Sequence, residues 1–151
     1  MIRVTTRGRY ALRAAVDLAL HSEDAPIARQ AIAERQGLSS DYVAQLFRDL
    51  QDAELVEGVK GPGGGYRLAR RPDAICAREI IEAVEGPIAL VHCVEPEDES
   101  CCNRIDGCVA HVLWKDLSTV MREFLESVTL QDLCSETRRL DSSSPSREET
   151  A

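Results

Sequence analysis

Four of the six cysteines, Cys93, Cys101, Cys102 and Cys108, fall within sixteen residues, and His111 stands three positions after the last of them. Thiols crowded in this way indicate metal binding or redox chemistry in a reducing compartment rather than a disulfide framework. Cys102, Cys108 and His111 read C-x5-C-x2-H, and eight residues separate Cys93 from Cys102. A helix beginning near Cys108 aligns Cys108 with His111 on one face, while Cys93 and Cys102 reach in from a loop. Thiolate and imidazole are ligands that zinc and iron-sulfur clusters both accept, and the spacing alone favours neither. Neighbouring Cys101 and Cys102 cannot both point comfortably at one metal; the spacing prefers Cys102, with Cys101 as its alternative. Cys76 and Cys134 stand apart in apolar, helix-like surroundings and read as small core residues.

A second kind of chemistry is spread over the first 71 residues. The chain carries 18 Lys and Arg against 26 Asp and Glu, a net charge of -8. Residues 1–71 hold 11 of the cations and 9 of the acids, residues 72–151 hold 7 and 17, so the front half is +2 and the back half -10. Only the front half suits a phosphate backbone.

The elements that position these residues follow from periodicity. Thr5-Thr6 caps a first helix running to about His21, with Leu12, Val16, Ala19 and Leu20 at helical spacing. Pro26 opens a second, near 28–36, stopped by Gly37; Ser39-Ser40 caps a third over about 40–53, whose stripe is Val43, Leu46, Phe47 and Leu50. Two short strand-like runs, LVEGVK and YRLAR, flank GPGGG and read as a hairpin; after a helix-turn-helix, such a hairpin is a wing. The third helix then turns Ser40, Asp41, Ala44, Gln45 and Arg48 outward. Gln45 is the candidate for a bidentate pair with adenine, Ser40 and Arg48 for phosphate or base, and Tyr42 joins them on the same helix. Lys60 and Gly61 at the wing tip can follow a groove edge, and Arg7, with Arg9 and Arg13, can add phosphate contacts.

Beyond Pro72, residues 76–85 form a fourth helix and about 91–107 an acidic, aperiodic loop. A long helix from Cys108 to Val128 carries Leu113, Leu117, Val120, Met121, Phe124 and Val128, a wide stripe for which a partner helix is the natural cover, with folding back onto the first helix as the alternative. Thr129 restarts a short helix. The expected fold is mainly α with a small β-hairpin: a winged helix-turn-helix domain over 1–71, the cysteine loop and dimerisation helices over 72–140, and a disordered tail over 141–151. No run of about 18 apolar residues exists, and arginines interrupt the N-terminus too often for a secretion signal, so a cytoplasmic protein with no membrane association is expected. GPGGG lacks the Lys-Ser/Thr and helix of a phosphate loop, and no nucleophile-base pair is evident; an enzyme is not expected.

The opening RVTTRGRYAL, SSDYVAQLFRDL, VKGPGGGYRL, AREIIEAVEGP and CVAHVLWKDL together carry a resemblance. Through them residues 1 to about 135 resemble the Rrf2 family of winged-helix transcription regulators, in particular its IscR-like iron-sulfur branch. The resemblance implies a homodimer built on the long helix, two recognition helices on a pseudo-palindromic double-stranded DNA operator, and a cluster, 2Fe-2S by preference, on Cys93, Cys102, Cys108 and His111. The signal it implies is cluster supply, redox state, iron or nitric oxide. Some relatives take a fourth ligand from an acidic residue near the N-terminus; the matching position here is Arg9, which supports His111. Three features depart from the pattern: the Cys93 to Cys102 interval exceeds the usual five-residue spacer, Ala44 stands where relatives often carry glutamate, and Glu95, Glu97, Asp98 and Glu99 make the loop unusually acidic. The competing readings are a zinc-binding or clusterless winged-helix repressor, and a cluster carrier that uses the winged helix as a scaffold.

Overall fold

The computed structural model of the chain describes residues 2–96 and 102–144. Thr5 opens the first helix by accepting the Gly8 N–H through its hydroxyl at 3.4 Å, and α1 (Thr6–His21) follows. Its inner side is Ala11, Ala14, Ala15 and Leu18, all buried. Three alanines keep that side thin, which lets several later elements pack close to the α1 axis. After α2 (Arg29–Gln36), Gly37 ends the helix in the left-handed region. Ser39 caps α3 (Ser40–Asp52) through the Tyr42 N–H at 3.1 Å, and Val43, Leu46, Phe47 and Leu50 bury one complete stripe.

α1 and α2 are clamped by a buried carboxylate. Asp17 accepts from Arg35 Nη2 at 2.7 Å and Arg35 Nε at 2.9 Å, and from Gln36 Nε2 at 2.9 Å. The hydrogen bonds to Asp17 push the Arg35 guanidinium above its already high pKa. A buried charge is tolerated here because its lone pairs are filled.

Strands β1 (Val56–Val59) and β2 (Gly65–Leu68) pair antiparallel, Val56 opposite Leu68 and Val59 opposite Gly65. Sequence periodicity did not foretell a third participant. Ile27, in the connection between α1 and α2, exchanges both backbone hydrogen bonds with Tyr66 at 2.8 Å, so the wing is stitched to the helical body along its second strand.

The fourth helix, α4 (Ala77–Glu85), begins after Cys76, whose N–H donates to Glu79 Oε2 at 3.0 Å. Arg70 reaches the same carboxylate at 2.7 Å. Burial raises the Glu79 pKa, but the Arg70 hydrogen bond, the Cys76 N–H and the Arg70 charge together outweigh it and leave the carboxyl below its ordinary value. A group depressed in the folded state stabilises above its unfolded pKa and loses that stabilisation as pH falls through the folded one. Wild type is therefore expected to lose stability relative to Glu79→Gln as pH drops below about 4.3; a stability difference independent of pH in denaturant titrations would remove the assignment.

Two single 3-10 turns (His92–Val94 and Ile105–Gly107) interrupt the segment read as a loop. The long α5 (Val109–Ser127) follows. Within it only Ser118 is fully buried, accepting the Leu90 N–H at 3.2 Å. The chain then returns to the body: Ala77 N–H donates to Val128 O and Leu130 N–H to Ile75 O, both at 2.8 Å. Thr129 and Asp132 cap each other's backbone at the start of α6 (Leu130–Ser143). This helix is longer than the short one expected and runs past residue 141, where composition suggested a tail. It is α6, through Leu130 and Cys134, that covers α1, while α5 leaves Val109, Val112, Leu113, Val120 and Phe124 exposed. One core joins the front of the chain to Ile75, Ile80, Leu130 and Cys134.

Candidate functional site

The reading surface is built on α3. Burial of Val43, Leu46, Phe47 and Leu50 leaves Asp41, Gln45 and Arg48 exposed and Ser40 and Ala44 half-buried. Tyr42 is half-buried, its ring edge-on to Tyr10 with centroids 6.1 Å apart, so it braces α3 on α1. Lys60 and Gly61 are exposed at the wing tip, where Gly61 takes φ +89, a conformation that L side chains resist. Gly65 is required by packing rather than by any ligand: a Cβ there would lie 2.1 Å from the Ile27 carbonyl oxygen. The Phe47 and Tyr66 rings meet with centroids 4.5 Å apart, which fixes the wing against the recognition helix.

The three arginines of α1 have different surroundings. Arg9 is exposed. Arg13 lies over the Tyr10 ring, 5.3 Å from its centroid, and donates to Gln36. Arg7 donates to the Asp49 carboxylate on α3.

The cysteine site assembles at the foot of α5. His92–Val94 turns Cys93 toward that helix, and Cys93 Sγ lies 3.4 Å from His111 Nδ1. The pair adjoins a cavity of about 520 Å3 whose polar lining includes Glu95, Asp106, Lys115 and Arg122. Cys108 is the residue preceding α5, half-buried and one turn before His111, and Cys102 is exposed. The structure thus brings together two of the four expected ligands. Among the described residues no three Cys, His, Asp or Glu side chains converge as a metal-binding group. Cys101, the alternative ligand, and Glu97, Asp98 and Glu99 lie outside the described residues. Thiolate beside imidazole is the donor chemistry that an iron-sulfur cluster or zinc takes, so the residues present suit such a group.

The remaining cysteines belong to the frame. Cys134 is buried on the side of α6 that faces α1, and burial pushes its thiol pKa up. Cys76 is half-buried where α4 begins. Sequence reasoning missed Asp49 and Glu85 as partners of α1, and Lys115 and Arg122 as neighbours of the cysteine cavity. No local signal marks any of them, because each acquires its role from a contact across the fold.

A family model described as "Rrf2: Iron-dependent Transcriptional regulator" matches residues 4–136. The chain is 44% identical over 140 residues to the HTH-type transcriptional regulator IscR of Sodalis glossinidius, covering 93% of this chain and 83% of that protein. Among solved structures, IscR of T. potens superposes with a TM-score of 0.75 at 33% identity, covering 95% of this chain and 94% of the other. CymR, the global cysteine regulator of B. subtilis, superposes with a TM-score of 0.72 at 38% identity, covering 90% and 98%. Among the described residues no helix is long and apolar enough to cross a membrane.

Proposed function

From the premise that the chain belongs to the Rrf2 family, we propose that it acts as a homodimer whose affinity for operator DNA depends on an iron-sulfur cluster, 2Fe-2S by preference, held by Cys93, Cys102, Cys108 and His111. It is a DNA-binding transcriptional regulator of the Rrf2/IscR type and not an enzyme, as its relatives are. The observation that carries the cluster half of the reading is the meeting of Cys93 and His111 at 3.4 Å, a thiol and an imidazole brought together from positions eighteen residues apart. A bound cluster would supply a redox-active, reversibly lost centre. The chain's own part is to present sulfur and imidazole from two elements at once: a segment leading out of α4 and the first turn of α5. Cys108 immediately precedes α5, three residues before His111, and Cys102 completes the set in this reading. Ligation that draws the segment against α5 alters DNA binding only by the difference in stability it creates between two dimer arrangements.

Anaerobic reconstitution with iron and sulfide tests this directly. Wild type is expected to become coloured with matching iron and acid-labile sulfide, whereas Cys93→Ala and His111→Ala take up a small fraction of either. A colourless wild-type protein holding stoichiometric zinc, with DNA binding indifferent to both substitutions, would replace the cluster by a structural metal.

On the DNA side, Gln45, Arg48, Ser40 and Lys60 are the proposed contacts, with Gln45 reading a base and the others positioning the duplex. Gln45→Ala is expected to weaken operator binding by about 1–3 kcal/mol while barely changing affinity for unrelated duplex. Equal losses on both duplexes, seen by fluorescence anisotropy at fixed salt, would assign Gln45 to the backbone instead.

A further inference from the structure

The first turn of α1 is held from two directions. Glu85, the last residue of α4, places Oε1 at 3.1 Å from the Thr5 N–H and 3.0 Å from the Gly8 N–H, and the Thr5 hydroxyl donates to the same oxygen. The first turn of α1 has no acidic residue of its own, so Glu85 is the carboxylate that meets the positive end of this helix. Gly8 is buried beneath it, and a Cβ at that position would lie 2.3 Å from the same oxygen. On the other side Arg7, the second residue of α1, reaches across to Asp49 on α3, the two side chains being 41% and 29% exposed. Asp49 adjoins Arg48 and lies one helical turn beyond Gln45, the two side chains assigned above to DNA.

We infer that Arg7 and Asp49 are a positioning pair for the recognition helix, with Glu85 anchoring the turn that carries Arg7; the inference rests on the DNA-reading role proposed for α3. Arg7 therefore acts through Asp49 and not as a phosphate contact. The two roles make opposite forecasts for Asp49. If only charge matters, removing a carboxylate from the DNA-facing helix tightens binding, since one less negative group faces the phosphates. If the pair sets the angle of α3, its removal loosens the helix that presents Gln45 and Arg48, and binding weakens.

The test uses the full-length protein and a duplex that the wild type selects from a random pool, with an unrelated duplex as reference. Asp49→Asn and Arg7→Met are each expected to weaken binding to the selected duplex by a similar factor, roughly three- to thirtyfold, and the double variant to be no worse than either single. Neither change alters the dependence of binding on salt. Combining Arg7→Asp with Asp49→Arg restores much of the loss with the salt dependence unchanged, whereas an arginine at 49 that merely met phosphate would steepen it. Glu85→Gln, at the end of α4 and carrying no cation, lowers the selected-to-unrelated affinity ratio in the same direction. Circular dichroism melts fix a temperature at which every variant is folded. Should a substitution unfold the protein, the charge swap and Glu85→Gln still decide the matter. Tighter or unchanged binding by Asp49→Asn, or a salt slope reduced by about one in Arg7→Met alone, overturns the inference. Failure of the wild type to bind any duplex would instead overturn the proposed function, so the two failures are distinct.

Discussion

Val120→Asp combined with Phe124→Asp is expected to leave the protein monomeric and its operator affinity lower by roughly 10²-fold or more. These side chains are 59% and 65% exposed on α5, in line with Leu113 at 58% and Val109 at 84%. Among the described residues nothing covers this face of the 19-residue helix, because α6 and not α5 lies over α1. In the proposed twofold dimer the same patch meets itself, so every substitution counts twice and four carboxylates enter one interface. Each buried unpaired charge costs several kcal/mol, which raises the dissociation constant of the dimer by roughly three orders of magnitude or more. A monomer retains one reading head and loses the gain from engaging two half-sites about 34 Å apart. Analytical ultracentrifugation beside an operator titration reads both effects; a double variant that sediments as a dimer would show that the stripe has another use.

Features legible in the sequence are those written in short-range spacing. Ser39 followed by Val43, Leu46, Phe47 and Leu50 announces α3 with its cap and its buried stripe, since a helix brings i, i+3, i+4 and i+7 to one side. GPGGG between two short apolar runs announces the hairpin, and the spacing of α5 announces an uncovered face. The parts that were not legible depend on partners distant in the chain. Ile27 joins the wing because Gly65 lets two backbones approach, and nothing about an isolated isoleucine foretells that. Arg7 reads from sequence as one more cation near DNA, but Asp49 engages it in the fold. The length of α6 was underestimated because only Leu130 and Cys134 are buried in it, leaving a polar remainder that composition assigns to a tail. At the cysteine site the donor types were legible and their convergence was not: Cys93 meets His111, while Cys102 stays exposed on the far side of residues outside the described set.

The reading head itself depends on one ring, and Phe47→Ala is expected to destabilise the protein by about 3–5 kcal/mol. Phe47 is wholly buried in α3, and its ring meets that of Tyr66 on β2 at a tilt of 39°. Truncation removes the ring's own transfer energy, opens a cavity among Val43, Leu46 and Leu50, and deletes the aromatic pair, worth about 0.5–1.5 kcal/mol beyond its area. Against a total of about 5–15 kcal/mol for a domain, that is about a fifth of the stability or more. The loss has a direction as well as a size. Tyr66 is bonded to Ile27 through both backbone groups, so the ring of Phe47 links the recognition helix, the wing and the α1–α2 connection in one contact. Hydrogen exchange at the amides of Ile27 and Tyr66 should accelerate in Phe47→Ala under conditions where α6 remains protected. Phe47→Leu, which keeps much of the volume, should recover most of the denaturation midpoint but not the slow exchange of the Tyr66 amide. A cost below about 1 kcal/mol in Phe47→Ala would mean that the head is held by other contacts, and the wing would then be free to move independently of the helix beside it.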